Sequence, residues 1–173
     1  MQRTRARTFA GWLEKANYLD GAAWDDARAP LVRDVARRVA VPVNPNRPDL
    51  LAEAIFNYCQ RAIRYVKDPA SEEFSDAEQV LRDGFGDCDD KCRVFVALAR
   101  SVGLEARIRP VLAPDPEDPA AGPDFVHVQA ECRYPGSYRH RRARLGGWLS
   151  CELILAACAL GDEPQHVTGR ELA

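Results

Sequence analysis

The apolar positions of this chain change their period along its length, and the changes mark out its elements. Trp24, Ala27, Leu31, Val35 and Val39 recur at three- and four-residue steps, which predicts a helix ahead of the break at Pro42, Pro45 and Pro48. A second helix is predicted from Asp49 to Ile63, with Leu51, Ile55 and Cys59 on its stripe. Ser75-Asp76-Ala77-Glu78 reads as a capping box opening a short helix to Leu81, which Gly84 and Gly86 end. The next helix starts at Cys88, where Cys92, Phe95, Val96, Ala99 and Val102 form one buried stripe and Gly103 stops it. Beyond Gly103 the period falls to two. Ala106 to Leu112 predicts a strand, 113–123 a loop rich in Pro and Asp, and 125–132 a strand on which Val126, Val128, Ala130 and Cys132 alternate with Phe125, His127, Gln129 and Glu131. After the turn-rich stretch from Pro135 to Gly147, Trp148 to Glu152 predicts a short last strand. Together these elements predict an α+β fold in which helices pack against an antiparallel sheet and the Cys88 helix lies across it.

The 173 residues suffice to bury a real core, and no internal repeat interrupts them. Residues 1–45 read as a helical extension ahead of a core over residues 46–173, the two forming one compact unit. The formal net charge of -2 gives no global reason to expect nucleic acid or an anionic membrane as partner. Arg3, Arg5 and Arg7 are followed by no apolar run of signal-peptide length, and no stretch is long enough to span a bilayer, so a cytoplasmic setting is expected. The cysteines agree with a reducing compartment. Cys59, Cys92, Cys132, Cys151 and Cys158 occupy apolar positions in helix or strand patterns, as small buried thiols do, and not the loop spacings of a disulfide framework.

Cys88 differs from the other five. Gly86 and Asp87 precede it, and Asp89, Asp90 and Lys91 follow, so it falls on the first turn of its helix with Asp87 as N-cap and Asp90 as the returning partner of a capping box. A helix N-terminus favours an anion and biases a thiol toward thiolate. The neighbouring acids act the other way, so a cationic partner is needed, and histidine is the usual one. Of the three histidines, His140 lies among arginines and His166 in a polar tail, which leaves His127 as the candidate base. A third group is expected on the next strand to hold the imidazole, and Glu152 is the carboxylate there. A zinc site drawing on Cys88, Cys92, His127, Cys132 and Cys151 is a weaker alternative, unsupported by any Cys-x-x-Cys pair. For Asp87, Asp89 and Asp90, capping and solvent exposure are a simpler reading than a cation site. No metal or cofactor is expected.

Gly86-Asp87-Cys88-Asp89-Asp90-Lys91, with Leu98 to Arg107 behind it, resembles the Cys motif of the transglutaminase-like superfamily, and most closely that of bacterial and phage-encoded members. Ile63-Arg64-Tyr65-Val66 and Glu78-Gln79-Val80-Leu81 resemble the lead-in to that motif, so the likeness spans about residues 50 to 160. The resemblance implies a papain-like core and a triad of Cys88, His127 and Glu152, the last standing where the family usually has Asp. It also implies acyl transfer through a thioester on Cys88. Hydrolysis of a peptide or other amide is favoured, with transglutaminase or deamidase chemistry at the same site as alternatives. The superfamily also holds members that have lost activity, so a papain-like binding or assembly module is a further reading. The acidic loop 114–124 and the basic loop 133–144 flank the His127 strand and are expected to border a cleft, the basic one favouring an acidic peptide or protein segment.

Overall fold

Pro30 divides the N-terminal apolar stripe into two helices. The computed structural model describes residues 9–66, 74–114, 123–154 and 157–162, without the side chains of residues 9, 10, 12, 112–114 and 123–127. Helix α1 (Phe9–Asp26) ends in a turn, and α2 (Pro30–Ala40) begins on the proline, whose missing N–H and fixed φ suit a first helical position. The single helix expected through Trp24 and Val39 is therefore not formed. Trp24 stands 54% exposed on α1, and α2 buries Val32, Val35 and Ala36. Helix α3 (Pro48–Ala62) buries Ala52, Ile55, Phe56, Cys59 and Gln60. Strand β1 (Arg64–Tyr65) pairs in parallel with β2 (Phe85–Gly86) across the short helix α4 (Ala77–Asp83). The cap of α4 is Asp76, one residue later than the Ser75 box predicts, and its side chain accepts from the Gln79 N–H at 2.7 Å. Glu78 instead accepts from the Leu31 N–H at 2.8 Å, which ties α4 to α2.

Helix α5 (Cys88–Ser101) is the centre of the molecule, in contact with α1 to α4 and with the sheet. Every residue from Asp89 to Ala99 is buried, so the helix has no solvent face and the single stripe expected from its spacing is only part of its core surface. The sheet runs β3 (Glu105–Pro114), β4 (Pro123–Arg133), β5 (Leu149–Cys151), all antiparallel. Ala106, Ile108, Val128, Ala130, Cys132, Leu149 and Cys151 join the α5 side chains in one apolar core. Two polar positions of β4, Gln129 and Glu131, are buried as well. Glu131 is 1% exposed and meets Arg107 at 2.7 Å, Arg109 at 2.6 Å and Arg144 at 3.5 Å, while Gln129 accepts from Arg109 at 2.9 Å. No helix among the described residues is long and apolar enough to cross a membrane.

Candidate active site

Cys88 is the first residue of α5, and the turn before it is built to place it there. Asp87 accepts from the Asp90 N–H at 3.0 Å and Asp90 accepts from the Asp87 N–H at 3.3 Å, which completes the capping box expected from the sequence. Gly86 is required by the same contact, since a Cβ there would lie 2.6 Å from the Asp90 Cβ. The Cys88 thiol, half-buried, donates to Asp89 Oδ1 with sulfur and oxygen 3.7 Å apart. Burial pushes this thiol well above its ordinary range, the Asp89 and Asp87 carboxylates add to the rise, and Lys15 opposes them. Asp89 and Asp90 are 3% and 2% exposed, so the solvent exposure expected for the acidic run is corrected for both. Asp89 is paired instead with Lys15 of α1, Nζ to Oδ2 at 2.5 Å.

His127 lies on β4 with its backbone opposite Val111. The register then steps to Leu112 opposite Phe125, which leaves Val126 as the extra residue of a bulge immediately before the histidine. The strict alternation expected through Val126 is broken there. The side chain of His127 lies outside the described residues. Its neighbour Val128 offers a carbonyl to Cys92 Sγ at 3.6 Å, and Cys92 is one turn along α5 from Cys88. Glu152 follows the last residue of β5, and the register of Cys151 opposite Ala130 carries it toward the His127 end of β4. It is buried, its Oε1 accepts from the Ile154 N–H at 2.8 Å, and its charge acts on Lys91 and Cys92. Gln60 fixes this segment to α3 by donating to the carbonyls of Glu152 at 3.2 Å and Cys158 at 3.0 Å. The Val128 carbonyl, next to His127, and the Glu152 charge thus both act on Cys92, one turn along α5 from Cys88.

Several residues at this end of α5 escape a reading by period. Lys91 is 1% exposed and donates to the carbonyls of Ile63 at 2.5 Å and Gln60 at 3.4 Å, closing the C-terminal end of α3. Burial pulls its pKa down, against the charges of Cys59, Cys92 and Glu152. The sequence carries no mark of this burial, since Lys91 follows Asp89 and Asp90 in the charged first turn of α5. His140 is half-buried and accepts from the Arg142 N–H at 3.2 Å, and His166 lies outside the described residues. Cys59, Cys92, Cys132 and Cys151 are buried as expected, whereas Cys158 is half-exposed. Cys132 and Cys151 stand 3.8 Å apart as free thiols. Among the described residues, three potential metal donors fall within 4.8 Å of one another only at Asp87, Cys88 and Asp89, whose atoms already serve the cap, the thiol contact and the Lys15 pair. The two charged loops leave opposite ends of β4. Arg133 lies six positions after His127, about 20 Å of extended chain, so only the acidic loop leaves from the His127 end.

The model of the transglutaminase-like superfamily matches residues 33–153. The fold is similar to that of a candidate protease from Parabacteroides distasonis, with a TM-score of 0.53 and 12% sequence identity over 70% of this chain and 24% of that one. At that identity the likeness concerns the fold, and this chain spans about a quarter of that protein. No curated protein matches the sequence. The matched span opens in α2 and closes one residue past Glu152, taking in Cys88 and His127 but not α1, and on that match the chain belongs to the transglutaminase-like superfamily.

Proposed function

We propose that the chain is a cysteine-dependent acyl-transfer enzyme acting on a peptide or protein amide. His127 takes the Cys88 proton, and the thiolate attacks the amide carbonyl carbon. The tetrahedral intermediate then collapses to a thioester as the amine leaves with the proton His127 returns. Glu152 orients His127, and the Cys88 N–H at the start of α5 donates to the oxyanion. Water then opens the thioester, releasing a carboxylic acid and regenerating the thiol. We favour water as acceptor because it needs no binding site of its own; an amine acceptor at the same thioester is transglutaminase chemistry, and hydrolysis of a glutamine side-chain amide is deamidation. The observation that carries the reading is Cys88 at the first position of a buried, capped helix, inside the span matched by the superfamily.

One observation favours a second reading. Burial, Asp89 and Asp87 all act against a Cys88 thiolate, as suits a binding module that keeps the motif for its capping geometry. A substrate panel separates the two. Denatured proteins and glutamine-containing peptides are incubated with wild type and with Cys88→Ser, with and without a primary amine, and the products are read by mass spectrometry. We expect cleaved or deamidated products, or amine adducts, from wild type and none from the variant. Equal product from both proteins contradicts the enzyme reading.

A further inference from the structure

Asp89 links the candidate nucleophile to a helix outside the matched span. One oxygen, Oδ1, takes the Cys88 thiol at 3.7 Å, and the other, Oδ2, is held by Lys15 Nζ at 2.5 Å. The Lys15 and Asp89 side chains are 11% and 4% exposed, so water does little to screen this contact. The Lys15 ammonium also lies 5.4 Å from the Phe74 ring centroid, which fixes its approach. The groups that act on Cys88 are Asp89, Asp87 and Cys92, all of which disfavour its ionisation, and Lys15, which favours it. A carboxylate beside a thiol is useful for holding the sulfur in place while it is protonated. It works against the same sulfur once the proton has gone, unless its charge is matched.

We propose that Lys15 is a positioning residue for the nucleophile: through its ion pair with Asp89 it matches the charge that would otherwise oppose a Cys88 thiolate, so that α1 completes the site from outside the superfamily core. The inference rests on the reading of Cys88 as nucleophile. It gives the acidic motif two states. With the thiol protonated, Asp89 anchors it; with the proton on His127, the Lys15-Asp89 pair leaves the thiolate beside a neutral neighbour. Removal of the lysine charge then affects the ionised state more than the resting one.

The test is the rate of iodoacetamide alkylation at Cys88 against pH, located by mass spectrometry on the full chain. Lys15→Met removes the ammonium while keeping an unbranched side chain of similar length, and should move the midpoint up by about one unit, which below the midpoint is about tenfold in rate. Lys15→Arg should recover most of that loss. Asp89→Asn should move the midpoint down, and Lys15→Met added to Asp89→Asn should label about as fast as wild type, because neither charge remains. A Lys15→Met profile that overlays wild type, or a loss that Asp89→Asn does not relieve, overturns the proposal. If Lys15→Met does not fold, Asp89→Asn decides alone, and an unchanged or raised midpoint overturns the proposal. His127→Ala run alongside separates the two levels. A wild-type profile indifferent to His127 overturns the nucleophile reading and this inference with it, whereas a wild type that depends on His127 but not on Lys15 overturns the inference alone.

Discussion

The four residues from Asp87 to Asp90 carry three acids, and each is engaged. Asp87 and Asp90 exchange cap hydrogen bonds with each other's N–H, and Asp89 lies between the Cys88 thiol and Lys15. Burial raises the Asp89 carboxyl from its ordinary 3.8 to about 6, with Lys15 opposing the rise. The folded protein therefore holds this proton more tightly than the unfolded chain does. Stability from Asp89 is greatest below the unfolded pKa, and it falls as pH rises from about 4 through about 6, then stays level. Denaturant unfolding of wild type and Asp89→Asn across pH 4 to 7 reads this directly. The stability of wild type should decline relative to the variant in that window, and parallel curves would contradict the assignment.

The link between α1 and α5 decides whether the first helix is part of the working structure. Arg100 on the last turn of α5 pairs with Asp20 through Nη2 at 2.8 and 2.9 Å, donates to the Asp20 carbonyl at 2.7 Å and stacks 4.2 Å from the Trp24 ring centroid. Asp20 also accepts from the Ile108 N–H of β3 at 2.9 Å, so one carboxylate joins three elements. Farther along, Arg93 holds Asp26 with contacts of 2.5 and 3.1 Å. The Arg100 side chain is 5% exposed, and removing its partner leaves a buried charge short of a counter-ion. Asp20→Ala should lower unfolding free energy by about 3 kcal/mol. The same change at Asp25, whose pair with Arg28 is 87% and 77% exposed, should stay within about 0.5 kcal/mol. Comparable losses at the two sites, measured by denaturant unfolding, would show that α1 is not held through Asp20.

At the scale of the molecule, what the sequence makes legible is local and what it hides depends on residues far apart in the chain. The α5 capping box can be read because its members are three residues apart, and the last two main strands follow from alternation and turn residues. The buried surround of α5 is not legible, because periodicity takes Lys91 and Arg93 as a solvent face. Their partners are the Ile63 carbonyl, 28 positions away, and Asp26, 67 positions away. The bulge at Val126 is likewise set by pairing with β3, and Lys15 has no local mark of its role. Of the three residues proposed for the site, Cys88 is legible from its own motif, while His127 and Glu152 are singled out only by the strand patterns around them. The role proposed for His127 is to turn a thiol disfavoured by its acidic surroundings into a nucleophile. The most direct measurement is the alkylation rate of Cys88 against pH in wild type and in His127→Ala. We expect fast labelling in wild type that persists well below the free-thiol pKa of about 8.5 and is lost in the variant. Slow labelling in both proteins, rising only at high pH, would contradict it.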